Sequence, residues 1–348
     1  MTDTTTTSWE IATRSSRRKG YTSKILGTNF LDKQSSSSSS LSSKEHYIEL
    51  KRLSIALSRH IQELAYCNAL CTSLYTIIQD SISKDLDIRP DILIECIGLG
   101  RIIGSASNSN SVVQLSILML INRIATIVTK DSTLNYNHLF EEYKELERLN
   151  TWSSTDEAIS IDMIQSKQSV FVYDPVLSES DIHALSILGF IATKTPWNGP
   201  KEFENKKVMM KKKNITTLLF MPHCPIRLYS IALRNFWGQD LDNLILIGNT
   251  MGEQDTSTLG KSDCVQLLLH YAAKGKRDDK DNVIDDNSSL LTINTISLEN
   301  LVTRHTIGDL CHIFGPSLSS TSIHTFKVHS SLGEKPPEIP FSSSIEEE

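Results

Sequence analysis

The chain predicts an α/β fold: a mostly parallel sheet covered by helices on both faces (Rossmann-like), with an N-terminal helical segment and disordered tails. Two observations carry the prediction. Runs such as DILIECI, VFVY, TTLLFM and LILI are apolar almost throughout, as strands buried on both faces are. These runs alternate with helix-spaced stretches, and that alternation builds parallel sheets.

Helical patterning begins near Lys44. From there to residue 82 Ile48, Leu53, Ile55, Leu57, Ile61, Leu64 and Leu70 fall at helical spacing, giving one or two helices packed on the domain that follows. DILIECIGLG, after Pro90, is a buried strand ending at Gly98. Ser111 and Gln114 form a capping box, each side chain reaching the other's orphan backbone N–H. The stretch VVQLSILMLINRIATIV that follows is apolar on most faces and so a mostly buried helix. VFVYDP is a strand ending at Asp174; Ser178 and Asp181 cap a short helix over 179–188, and Gly189 suits its left-handed stop. FIAT is the next strand. TTLLFMPHCP is a strand, and Pro225 fits the first turn of a helix, where a missing N–H costs nothing. LDNLILIGNT is a strand ending at Gly248 and Asn249, DCVQLLLHYAAKG a helix and SLLTINTI a strand.

Residues 1–44 are rich in threonine and serine, with a run from Ser35 to Ser40, and have little apolar surface to offset ordering entropy. They read as a disordered arm. Inside it SWEIATRSSRRKG, with Trp9, Arg14, Arg17, Arg18 and Lys19, is either a docking peptide or a solvated tail. Residues 45–330 read as one α/β domain with a lysine-rich surface insertion over 195–214, and residues 331–348 as a mobile acidic tail.

A net charge of −6 gives no global attraction to nucleic acid or to anionic membrane. No apolar run approaches the roughly 20 residues of a membrane helix, and MTDTTTTSWE lacks the apolar segment of a secretory signal. A cytoplasmic chain, with the nucleus also open to it, is expected, without membrane or nucleic-acid partners. Cys67, Cys71, Cys96, Cys224, Cys264 and Cys311 contain no C-x-x-C pair, so no metal site is expected and the thiols read as small buried hydrophobes.

In a parallel sheet the residues just after each strand gather along one edge, where such folds bind ligands. Four endings then converge: Gly98-Leu99-Gly100, Asp174-Pro175, Pro222-His223-Cys224-Pro225 and Gly248-Asn249. The ligand-binding candidates are therefore Gly98, Gly100, Asp174, His223, Cys224, Gly248 and Asn249, facing a small polar or anionic ligand with no cofactor specified. Gly98, Gly100 and Gly104 miss the third place of G-x-G-x-x-G, which disfavours an ordinary nicotinamide site. Asp174 reads as a ribose ligand, an orienting partner of His223, or a turn former before proline. His223 as general base and Cys224 as nucleophile would need a sharply bent turn to meet, since neighbours in extended chain point opposite ways. A backbone-bonded histidine and a buried thiol are the favoured reading. Asn249 either reads a polar ligand or bonds its own turn.

The stretches IGLGRIIGSASNSNSVVQLSILMLI, VYDPVLSESDIHALSILGF, LLFMPHCPIRLYSIALRNFW and LDNLILIGNTM resemble the Sensitivity to Red Light Reduced family, the SRR-like proteins. The match is best over about 91–252; WEIATRSSRRKG and FGPSLSSTSIHTF, with His324, are similar to the family's two ends. Residues 253–290, the serine run and the lysine-rich insertion depart from the family's pattern, as do Arg101 and two isoleucines after Gly100. The resemblance implies a regulatory protein with a protein partner. Its members are linked to light signalling and circadian-clock input, microtubule-related processes, or haem biosynthesis and clock-gene expression. It implies no assigned catalytic activity. An enzyme binding a nucleotide or methyl donor through Gly98 and Asp174, and an adaptor working through its N-terminal arm, are the alternatives.

Overall fold

The computed structural model describes residues 43–82, 91–130, 170–195, 197, 215–251, 259, 263–270, 291–298 and 320–328. Its strands form one seven-stranded sheet. β1 (Asp91–Ile97), β2 (Val170–Tyr173), β3 (Phe190–Thr193), β4 (Ile215–Met221) and β5 (Leu244–Asn249) are parallel. β7 (Thr321–Val328) runs antiparallel between β5 and β6 (Leu291–Ser297). The order across the sheet is β3-β2-β1-β4-β5-β7-β6, so the chain builds outward from β1 to β3 and then crosses back to β4. The reversal lies between β1 and β4, the place where open α/β sheets leave a crevice.

Both faces of the sheet are covered, which is why its strands read as continuous apolar runs. Ile92, Ile94 and Cys96 of β1 and Val170 and Val172 of β2 join one core, with α1 (Ser43–Ala65), α2 (Asn68–Ile82), α3 (Asn110–Lys130) and α4 (Glu179–Ile187). Ile97, Phe171, Tyr173, Leu219 and Met221 join the other, against α5 (Ile226–Asn235) and a helical stretch over 264–270. In α1, Leu53, Leu57, Ile61 and Leu64 recur every three or four residues and are buried. Each such side chain contributes about 1.5–3 kcal/mol through removal from water.

Several local expectations change. α3 starts before Ser111: the hydroxyl of Ser109 accepts the Val112 N–H at 3.4 Å, so Ser109 holds the cap position and Ser111 falls in the first turn. Pro225 is the residue that precedes α5, with φ −62° and ψ 146°, and the helix begins at Ile226. α3 is, among the described residues, long and apolar enough to cross a membrane, against the sequence expectation. Its composition is accounted for by packing against α1, α2 and β1, which buries most of its side chains. β7 is a strand that the sequence pattern does not predict. The Ser178–Asp181 capping box and the left-handed Gly189 (φ 83°) are as expected. The insertion over 195–214 lies outside the described residues except at Thr195 and Trp197. Trp197 is buried rather than solvated, its indole N–H donating to Glu95 of β1 at 3.2 Å. The N-terminal arm as far as residue 42, with its serine run, Cys311 and the acidic tail also lie outside the described residues, while Ser43 and Lys44, expected in the arm, open α1.

Candidate functional site

All four endings lie on the carboxyl edge of the parallel strands, on either side of the reversal point. Gly98 and Gly100 follow β1 with φ of 77° and 82°, a region that L side chains avoid. Asp174, directly after β2, holds this loop. Its Oδ2 accepts the Gly100 N–H at 2.6 Å and its Oδ1 the Val176 N–H at 2.9 Å. Asp174 is buried, and burial raises its carboxyl above the usual range. The two N–H donors pull it back, and Asp181 nearby adds to the rise. The aspartate therefore works as a staple across two strand ends. That is the turn-forming reading, extended to a second loop.

A second staple escaped the sequence. Asp181 is fully buried at the start of α4, and its Oδ1 accepts the N–H groups of Ile102 (3.0 Å) and Ile103 (2.7 Å). Its Oδ2 accepts from the Ser178 N–H (2.7 Å) and hydroxyl (2.6 Å). The local S-x-x-D pattern announces the cap. Nothing local announces a partner 79 residues away.

The turn after β4 is interlocked with both neighbouring strands. His223 has φ 52°, the one positive value among the described non-glycine residues, and is exposed. Its backbone N–H donates to Oδ1 of Asn249 at 3.2 Å, while Nδ2 of Asn249 donates to the Cys224 carbonyl at 3.1 Å. The Cys224 thiol points inward and donates to the Ile97 carbonyl at 3.3 Å. A Cβ added to Gly98 would lie 2.9 Å from that sulfur. Burial pushes the thiol far up, with Asp174 adding to it. Cys224 is not an activated nucleophile, which needs a lowered pKa and a base beside it. Gly248 is needed for a different reason: a Cβ there would overlap the Tyr229 hydroxyl.

Tyr229 and His324 complete the arrangement. The Tyr229 hydroxyl, fully buried in α5, donates to the Met221 carbonyl at 2.6 Å and accepts the Asn249 N–H at 2.5 Å. It thus ties the ends of β4 and β5 together. His324 of β7 donates through Nε2 to the Asn249 carbonyl at 3.2 Å, and Nδ1 lies 3.0 Å from the Thr295 hydroxyl. Burial lowers its pKa to about 4, the Asn249 bond opposing, so the imidazole is neutral near pH 7. Tyr229 looks like one more apolar position of α5 in sequence, and His324 sits in a strand that polar residues disguise.

The edge therefore combines Gly98, Gly100, Asp174, His223, Cys224, Gly248 and Asn249 in one continuous structure, yet mostly through bonds to one another. Among the described residues no three His, Cys, Asp or Glu side chains are placed to hold a metal ion. His223 and Arg227, both exposed, stand beside the uncapped start of α5.

The family model of the SRR1 domain matches residues 78–325. The chain is also similar to the SRR1-like protein of Mus musculus, with 24% identity over 225 residues, covering 62% of this chain and 78% of that protein. No solved structure matches it significantly.

Proposed function

Since the chain belongs to the SRR1 domain family, matched across most of its length, we propose that it is an intracellular regulatory protein that acts by binding. One observation supports this reading above the others: the groups able to do chemistry at the edge are already committed to backbone. The Cys224 thiol is bonded to a carbonyl and the Asp174 carboxylate to two N–H groups. What is left for a partner or ligand is the exposed rim around Arg227, next to a helix start that favours negative charge. The regulated process is of the clock and light-signalling, microtubule-related or haem-biosynthesis type implied by the family likeness.

A second reading, an enzyme taking a nucleotide or methyl donor, is favoured by the position of the reversal point between β1 and β4. The engagement of Asp174 with Gly100 and Val176 argues against its use on a ribose hydroxyl.

Thermal unfolding separates the two readings. A ligand bound only by the native state at about 100 times its Kd stabilises it by about 2.7 kcal/mol, a rise of a few degrees for a domain of this size. The wild type and His223→Ala would be heated with nucleotides, methyl donors and haem precursors, alongside affinity purification of each. A compound that stabilises the wild type and not the variant supports the enzyme or ligand reading. No stabilising compound, with a stable protein partner recovered, supports the binding reading.

A further inference from the structure

Six large apolar side chains stand exposed among the described residues: Tyr47, Ile48, Ile55, Tyr66, Val176 and Ile191. Four of them lie on α1 or directly after it. Ile55 follows Ile48 by seven residues and Tyr66 follows Ile55 by eleven, about two and three turns, so the three fall in one stripe. Tyr66 continues the helical path, its N–H bonded to the Gln62 carbonyl at 3.1 Å. The opposite side of α1 is fixed in the core by Leu53, Leu57, Ile61 and Leu64. Among the described residues this exposed stripe lies opposite the buried one, outside the core.

The stripe is basic as well as apolar. The exposed charged residues of α1 are Lys44, Lys51, Arg52 and Arg59 against Glu45 alone, in a chain whose net charge is −6. Glu49 and Glu63, less exposed, lie 3.6 Å from Arg52 and 3.0 Å from Arg59. Surface pairs of this kind are weak, so a partner's carboxylates can replace them. Beside the stripe is a recess of about 140 Å³, whose lining includes Arg52, Ile55, Arg59, His60, Ser107 and Asn108. Its wall is fixed, because buried His60 donates through Nε2 to the Ser107 carbonyl at 2.8 Å.

We propose that this face of α1 docks an acidic amphipathic helix of a protein partner. Apolar side chains at turn spacing, flanked by arginines, match the apolar stripe and acidic flanks of such a helix. A recess of this size takes one aromatic or branched side chain, since a cavity of about 150 Å³ holds benzene. A lipid surface would use the positive charge but has no need of a walled recess. α1 itself lies outside residues 78–325, while Ser107 and Asn108 of the recess lie inside them.

The test is photo-crosslinking of the full chain in its own cells, with benzoylphenylalanine in place of Ile55 and, as control, of exposed Ile191. The crosslinked peptide is sequenced by mass spectrometry. The expected adduct at position 55 carries a partner peptide rich in Asp and Glu with apolar residues three or four apart. Arg52→Glu with Arg59→Glu should abolish it. Both arginines are more than half exposed, so the fold tolerates the change. The proposal is overturned if position 55 crosslinks to a second copy, to this chain's own tail or to lipid. It is equally overturned if it yields no more than position 191, or if the double charge reversal leaves the adduct intact.

Discussion

Asn249 holds His223 in a left-handed conformation from the neighbouring strand. Its carboxamide receives the His223 N–H at 3.2 Å and gives its own N–H to the Cys224 carbonyl at 3.1 Å. One side chain thereby satisfies a backbone donor and a backbone acceptor of a turn whose central residue has φ 52°. Asn249→Ala should lower stability by about 1–3 kcal/mol, the cost of leaving such groups unmet. Asn249→Asp should lose most of the same amount, because a carboxylate cannot donate to the Cys224 carbonyl. Urea unfolding of the two variants checks this; an Asp variant as stable as the wild type would remove the clamp from consideration.

His223→Gly tests the backbone itself. The left-handed region costs a non-glycine residue roughly 1–2 kcal/mol, and His223 is exposed, so little packing is lost on truncation. Glycine should leave the melting temperature unchanged or raise it. Valine, branched at Cβ, should lower it. The opposite order would mean that the imidazole contributes more than the strain removes.

Gly98 and Cys224 should couple. A methyl on Gly98 would meet the Cys224 sulfur at 2.9 Å, at φ 77°. Gly98→Ala is expected to cost about 2–3 kcal/mol, of which the Cys224→Ala change relieves the contact but not the strained φ. The double variant should therefore be more stable than the sum of the two single effects, measured by denaturant titration. Strict additivity would show that loop and turn move apart without resistance.

Cys224 should resist alkylation. Its sulfur is buried, bonded to the Ile97 carbonyl, and held well above the usual thiol range by burial. Iodoacetamide at pH 8 should leave it unmodified in the native protein and label it in urea, as read by peptide mass. Rapid native labelling at Cys224 would reopen the nucleophile reading.

His324 should make stability depend on pH. In the native state burial lowers its pKa from 6.5 to about 4, so the unfolded chain takes up a proton there that the native chain does not. Stability thus falls as pH drops from 6.5 toward 4. Between pH 7 and pH 5 the loss from this residue is roughly 2 kcal/mol. A His324→Gln variant unfolded at both pH values should lack that component, and an unchanged slope would place the sensitivity elsewhere.

The strands β1, β2, β4 and β5 were legible because burial on both faces leaves apolar runs with abrupt polar endings. The convergence of Gly98, Asp174, His223 and Asn249 on one edge followed from that alone. β7 was not legible, because Thr321, Ser322 and His324 are buried by pairing with β5 and β6, and the side chains of Ser322 and His324 also by hydrogen bonds to Thr250 and Asn249. Glu95 was hidden inside the apolar run of β1, where its partner Trp197 comes from a segment read as solvated. The shift of the α3 cap from Ser111 to Ser109 had another cause: four serines in alternation with other residues from Ser105 to Ser111 offer equivalent starts. Tertiary bonds such as Asp181 to Ile102 leave no periodic trace in a sequence.

The bonds along the carboxyl edge run from His324 through Asn249 and the β4 turn to the Ile97 carbonyl, and from Asp174 and Asp181 to the loop that His60 ties to α1. Opening any one loop exposes amides held by the next. In hydrogen-exchange experiments the amides of Gly100, Ile102, Ile103, Val176 and His223 should consequently lose protection together, as one cooperative unit rather than as five independent loops. A molecule held at the His223 end would then slow exchange near α1, so occupancy of the edge could be sensed at the outer helix without any displacement of the sheet.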